Sequence, residues 1–485
     1  MTEMSCREMT IEKYHKALLE GTITCKALTQ YYLDRIATFD DQIKAVIMIN
    51  PNALEEAEKM DLLLKEKGLI GPLHGVPVLV KDNFETAGME TTAGSMTLKG
   101  FIPEKDAFIL DKILKSGGIV VAKANLHEFA IWGETVSSVL GQSYNPYDLT
   151  RTPGGSSGGT GAGMAADYAL LGLGTDTINS VRSPASANNL VGIRPTLGLL
   201  SRSGIVPYSY TQDTAGPLTR TVADAAIALE IMKGYDPEDP ITKGQNDYKI
   251  DDYTKHLDPN GLSGKRIGIL KSLFGAEAWH DSTNRAVNHA IEKMKHAGAE
   301  IIYLEDAIDT GHLVKEVSVH LHDFKDHLNQ YLQTLPAHMP YRDMQAIYDS
   351  GLTHPGVRSN IEEALTLSTS TEAYQKRIAS QEDVRNHLDE IFKREGIVAM
   401  VYPHQKQLVC KAGSSQLERN GVLSSVTGYP SICVPAGFSE PSEEAPIGVP
   451  IGLEILGRPF TEETLIEIAF GYESIEAVRM IPRGF

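Results

Sequence analysis

Three stretches of this 485-residue chain hold side chains that could do covalent chemistry. The first is Lys81, directly after the apolar run Val76 to Val80. The second is the loop PGGSSGG, Pro153 to Gly159, in which Ser156 and Ser157 sit among four glycines. The third is GTDTINSVRSPAS, residues 174–186, whose only charged residues are Asp176 and Arg182 and whose small hydroxyls include Ser180. A serine is a weak nucleophile until a base takes its proton, and no histidine lies in or beside this stretch. Lysine can be that base. Burial disfavours an ammonium and can lower a lysine several units from its ordinary value of about 10.4, into the range of a neutral-pH base. Taken alone, each feature has a plainer reading. A lysine after an apolar strand commonly snorkels at a sheet edge, and a Gly/Ser loop is commonly a tight turn.

Rival chemistries fit less well. A phosphate loop needs GxxxxGK[ST], and no lysine follows the glycine-rich loop. GAGMAA fits a dinucleotide fingerprint only weakly. It follows a loop in place of a strand, and no acidic residue stands about twenty positions on. There is no HExxH. His127 is the one histidine near the apparent core. His312, His320, His322 and His327 read as surface or insertion residues, with His320 or His322 able in principle to pair with Asp323. Cys6, Cys25, Cys410 and Cys433 form no CxxC or CxxH spacing, so neither a zinc site nor a disulfide framework is expected, and no cofactor is called for.

These residues must be positioned by an α/β framework. Val-rich runs such as VPVLV suit strands covered on both faces. DAFILDKILKSGGIVVAKANL reads as helix, glycine stop and second buried strand, and GTGAGMAADYALLGLGTDT repeats that alternation. GKRIGILKS, NRAVNHAIEKMKHAG and AEIIYLE give strand, helix, strand, and IVAMVYP and YPSICVPAG return to strands before a final helix in EETLIEIAFGYESIE. Residues 1–70 read as N-terminal helices. Residues 307–395 read as a helical insertion over the sheet, placed to roof a substrate pocket. The expectation is one domain spanning 1–485, a sheet with helices on both faces.

The bulk numbers narrow the partners. A net charge of −18 with no Lys/Arg run longer than two argues against nucleic acid. The polar start MTEMSCREMT is unlike a signal peptide, and no apolar run of membrane-spanning length occurs, so a cytoplasmic protein without membrane contact is expected.

The motifs become specific together. GGSSGG, then GTDTINSVRSPA, LVGIRPTLG, GIVP and QDTAGPLTRTVADAA closely resemble the amidase signature family. GVPVLVKDN, ANLHEFA and GQSYNPYD upstream, and GYPSICVPAG and GVPIGLEILGRPFTEETLIEIA downstream, resemble its flanking blocks, so the likeness covers nearly the whole chain. The resemblance implies a single α/β domain around a mixed, twisted sheet and hydrolysis of amide bonds by a Ser–cisSer–Lys triad. By motif, Lys81 matches the lysine, Ser156 the bridging serine in a cis peptide, and Ser180 the nucleophile that becomes the acyl-enzyme. It assigns the oxyanion hole to the backbone N–H groups of Thr177, Ile178 and Asn179, with that of Ser180. Asp176 and Arg182 then support the turn. No metal or cofactor is implied.

One departure stands out. The family usually places two glycines before the nucleophile; this chain has Ile178 and Asn179. Backbone donors survive a side-chain change, but a β-branched residue resists positive φ. Either the turn at 178 runs at negative φ or the hole is distorted. Three functional readings follow. The first is a stand-alone amidase of small or peptide amides, monomer or homodimer, with carbamates and aryl amides as further substrates. LHDFKDHLNQYLQ, similar to the matching segment of peptide amidase-like members, favours it. The second is the glutaminase subunit of a tRNA-dependent amidotransferase, which the altered turn and ERNGVLSSVTGYP disfavour. The third is a non-catalytic scaffold, which retention of the three triad residues disfavours.

Overall fold

A computed structural model describes residues 6–248 and 252–485. Among the described residues thirteen strands are formed: β1 (Val46–Ile49), β2 (Pro77–Lys81), β3 (Ile119–Ala124), β4 (Val136–Ser137), β5 (Gly141–Gln142), β6 (Leu171–Asp176), β7 (Val191–Arg194), β8 (Thr214–Thr219), β9 (Arg266–Leu270), β10 (Glu300–Leu304), β11 (Ala399–Pro403), β12 (Ser431–Phe438) and β13 (Pro450–Leu456). Eleven of them make one sheet in the order β1-β3-β2-β6-β8-β7-β12-β13-β11-β9-β10. The pairs β2/β3, β2/β6, β9/β10 and β9/β11 are parallel, and the other pairs are antiparallel. The sheet is thus mixed, with helices over it, an α/β fold. β2, β3, β6 and β8 are buried along their whole length, as continuous apolar or small-residue runs require.

The sequence reading needs three additions. The 1–70 stretch is not helical throughout. Between the helices Cys25–Ile43 and Ala53–Lys67 it contributes β1, because Lys44 takes a left-handed turn and VIMI then pairs with β3. β7, β8 and β13 lay hidden in segments where glycine and proline mask the apolar run, as in TAGPLT. Within 307–395 the helices are Thr310–His312, a π-turn at Leu313–Val317, His320–Thr334, Met344–Ser350, Pro355–Leu365 and Glu372–Glu395. His320 and His322 are buried there and not at the surface: the His320 ring meets Tyr208 (5.5 Å between centroids) and the His322 ring meets Tyr374 (6.3 Å). Neither pairs with Asp323. His320 Nδ1 lies 2.7 Å from Ser318 Oγ, and His327 is the histidine nearest Asp323, at 3.9 Å.

Two features of the sheet set up the site. In the β2/β3 ladder Val80 stands opposite Lys123 and Lys81 opposite Ala124. Side chains alternate along a strand, so the two lysines leave the sheet on opposite faces. The helix Gly158–Ala165 is built from Gly, Ala, Thr and Met, which lets it lie close against the sheet. A Cβ at Gly163 would stand 2.5 Å from Leu79 Cδ2, and one at Gly159 2.3 Å from the Asn125 carbonyl. That close approach brings the loop before the helix down onto β2 and β6.

Candidate active site

Lys81 ends β2 and is wholly buried. Its Nζ lies 2.7 Å from Ser156 Oγ and 2.7 Å from Thr175 Oγ1, and no carboxylate is in ion-pairing contact with it among the described residues. Burial pulls its pKa down to about 7, only partly opposed at longer range by Asp176 and Asp213. Thr175 Oγ1 also accepts from Asn83 Nδ2 at 3.1 Å. Sequence reasoning passed over Thr175, which carries no motif of its own beyond its place in GTDT.

Ser156 follows a cis peptide from Gly155. Its carbonyl accepts from His127 N–H (3.0 Å), and the neighbouring Gly154 carbonyl accepts from Thr135 Oγ1 (2.7 Å). His127 is buried and held neutral, its pKa pushed down to about 3 by burial and by nearby cations. Its Nδ1 accepts from Glu134 N–H. His127 thus serves the loop's backbone.

The turn from 176 to 180 is held from behind through its carbonyls. Arg194 donates to the Asp176 carbonyl and Ser425 Oγ to that of Thr177. Arg182 Nη2 donates to the Ile178 carbonyl (2.6 Å), Ser183 N–H to that of Asn179 (2.7 Å) and Ser157 N–H to that of Ser180 (3.2 Å). Five successive carbonyls are therefore tethered. Since a peptide's N–H and C=O point in opposite directions, fixing the carbonyls fixes the donors. The N–H groups of Ile178, Asn179 and Ser180 engage no protein acceptor among the described residues. Neither Ile178 nor Asn179 has positive φ, so glycine is not required at either position. Ile178 is 7% exposed and packs with Val422, Leu423 and Leu270. Asn179 is buried beside Gly421 and His404, and its Nδ2 has no partner.

Asp176 and Arg182 form the anchor beneath. The Asp176 carboxylate accepts from Val181 N–H (3.0 Å), from Arg182 Nε (3.1 Å) and Nη2 (3.0 Å), and from Arg194 Nη1 (3.0 Å). Burial would raise its pKa; the two guanidiniums more than reverse this and hold it well below the usual carboxylate range. Arg182 also pairs with Glu454, which accepts from Tyr402 as well and lies 2.8 Å from His404 Nδ1. The charges are buried but all matched, which is what a rigid support needs.

Ser180, 6% exposed, opens on a small hollow together with Thr177, Ile178, Asn179, Ala130, Trp132, Tyr208 and Arg419. A second small hollow, on the side of Thr175 and Asp213, shares Ala130, Thr177 and Tyr208 with it. Asp213 accepts from Thr177 Oγ1 (2.6 Å) and from the N–H groups of Tyr208 and Ser209. No residue of 307–395 lines either hollow; the insertion backs Tyr208, through the ring of Phe324 (4.7 Å between centroids) and that of His320 (5.5 Å). Arg419, Trp132 and Asp213 were not singled out from sequence. Arg419 lies hundreds of residues from the serines, and no spacing links it to them. Among the described residues, no group of His, Cys, Asp and Glu is arranged to hold a metal ion.

Known proteins are similar to this chain along its whole length. The sequence profile of the family described as Amidase matches residues 27–466. A glutamyl-tRNA(Gln) amidotransferase subunit from Thermoanaerobacter pseudethanolicus is 31% identical, over 99% of this chain and 99% of that protein. The crystal structure of the peptide amidase of Stenotrophomonas maltophilia superposes with a TM-score of 0.88 at 33% identity, over 98% of this chain and 99% of that one. The same amidotransferase subunit from Thermotoga maritima, also known as a crystal structure, gives 0.78 at 27% identity, over 99% of both. The mixed sheet, the glycine-rich loop set against a buried lysine, and these likenesses along the whole length lead to one conclusion: the chain belongs to the amidase family, enzymes that hydrolyse C–N amide bonds.

Proposed function

We propose that the protein is a stand-alone amidase of small or peptide amides, with Ser180 as nucleophile, Ser156 as proton bridge and Lys81 as base. The observation that carries this reading is the 2.7 Å contact between the wholly buried Lys81 Nζ and Ser156 Oγ, made without a touching carboxylate to keep the lysine charged. Neutral Lys81 takes the proton of Ser156 as Ser156 takes that of Ser180, and Ser180 Oγ bonds to the amide carbon. The oxygen of that carbonyl gains charge facing the N–H groups of Thr177, Ile178, Asn179 and Ser180, donors already oriented by their tethered carbonyls. As the tetrahedral adduct collapses, the C–N bond breaks and the proton returns through Ser156 to the departing amine. Water then attacks the acyl-enzyme along the same route and releases the acid.

A second reading, the glutaminase subunit of a tRNA-dependent amidotransferase, is favoured by the curated relatives of that name. The stand-alone reading draws on the higher structural likeness to the peptide amidase. A release assay for ammonia and amines separates them, run on the isolated chain with peptide C-terminal amides, anilides, carbamates and free glutamine. Turnover of peptide or small amides, abolished in Ser180→Ala, is expected. Failure of the isolated chain to turn over any amide but glutamine would reject the stand-alone reading, and undiminished hydrolysis by Ser180→Ala would reject the mechanism.

A further inference from the structure

Arg419 is the cation of the Ser180 hollow; among the described residues no carboxylate touches it, and Glu134 acts on it only at longer range. Its Cζ lies 4.6 Å from the centre of the Trp132 ring, and it lines the same small hollow as Ser180, Ile178 and Asn179. Among the described residues its guanidinium makes no hydrogen bond and no ion pair. The nearest acid, Glu134, is committed elsewhere: Oε1 accepts from Gln416 N–H (2.7 Å) and Oε2 faces His127 Nδ1 at 3.6 Å. His127 is held neutral, and Tyr208 is a phenol at any working pH. The backbone that presents Arg419 is clamped on both sides, by Lys406 N–H to the Glu418 carbonyl (3.0 Å) and Asn420 N–H to the His404 carbonyl (2.9 Å). A guanidinium offers five donors in a planar fork that matches a carboxylate. Stacked on an indole and left without an acceptor, it is already oriented for one.

We propose that Arg419 is an anion subsite, so that the enzyme selects amides whose acyl part ends in a carboxylate, the monoamides of short dicarboxylic acids. This rests on the amidase reading above and narrows its substrate. Arg419 and Ser180 line the same small hollow, so a carboxylate held by the one and a carbonyl attacked by the other stand only a few carbons apart. The chain's net charge of −18 repels anions at long range, which leaves their selection to this local cation.

The test compares succinamate and glutaramate with the uncharged succinamide and glutaramide. In the wild-type enzyme kcat/KM is expected to favour the carboxylates by about ten- to hundredfold, the size of one charge-assisted hydrogen-bonded pair. Arg419→Gln is expected to cut that ratio at least tenfold, mainly through KM, and Arg419→Lys to retain part of it because the charge stays and the fork is lost. A wild-type ratio near one, or a ratio unchanged in Arg419→Gln, overturns the proposal. Calorimetric titration of the same four compounds into Ser180→Ala separates the two readings. Carboxylate-selective binding without wild-type turnover of any amide rejects the amidase mechanism and keeps the subsite. Turnover of the diamides without any preference for the carboxylates does the reverse.

Discussion

Two lysines on adjacent strands are both wholly buried, yet they are set up for opposite tasks. Lys123 on β3 meets Asp82 at 3.1 Å, the Phe84 carbonyl at 2.8 Å and Thr91 Oγ1 at 3.0 Å. Among the described residues Lys81 on β2 meets only two hydroxyls in hydrogen-bond contact. Burial pushes both pKa values down, but at Lys123 a touching carboxylate opposes it. The lesson is that burial alone does not make a base. What matters is whether the pocket supplies a counter-charge. The sheet enforces the separation by sending the two side chains to opposite faces, so neither can borrow the other's partners.

The largest test of this contrast is a pair of substitutions. Lys81→Met is expected to reduce kcat by about 10³-fold or more, the loss of a general base, while the protein stays folded by circular dichroism. Lys123→Met is expected to act on stability instead. It leaves Asp82 buried without its cation, at a cost of about 3–5 kcal/mol in urea unfolding. If Lys123→Met were to lower kcat as severely as Lys81→Met with stability intact, the distinction between the lysines would be gone.

Both lysines looked alike in sequence. VPVLVK and IVVAK each end an apolar strand in lysine, and only the first sits in a motif that resembles a family. Lys81, Ser156 and Ser180, the residues proposed as a triad, stand out in the sequence because long motifs surround them. The strand-helix alternation was legible because apolar runs repeat between glycine stops. What stayed hidden depended on contacts distant in sequence. Thr175, Asp213 and Arg419 reach the site through the sheet order and through a loop of the C-terminal half. The same applies to β8, whose glycine and proline disguise a central strand. The choice at Ile178 and Asn179 was posed correctly as one of φ, but its answer lies in acceptor tethers from Arg194, Ser425 and Arg182, which no local pattern encodes.

A middle-sized effect concerns pH. The mechanism requires neutral Lys81, so kcat/KM is expected to fall about tenfold per unit as pH drops below about 7 and to level off above it. Glu454 is held down at about 2 and Asp176 is held low as well, so neither contributes to this limb. A pH profile flat between 5 and 8 would mean that Lys81 is not the base. The smallest effect refines the same point. Thr175→Val removes a hydroxyl that accepts from the charged form of Lys81, which favours the neutral form and moves the acid limb to lower pH. The accompanying loss in kcat should stay below about tenfold, since Ser156 is untouched. A limb that moves to higher pH would show that Thr175 favours the neutral amine instead.

The tethered turn has a consequence for how such an enzyme can change. Its donors are aimed by what grips the carbonyls, and those grips come from β7, from Ser425 and from the residues after Ser180. Side chains at 178 and 179 are therefore released from the duty of shaping the backbone. They stand at the wall of the hollow and, in the proposed mechanism, beside the reacting carbonyl yet outside the proton path. Diversifying these two positions in a library, with the tethers left intact, is a direct route to new amide preferences on unchanged chemistry.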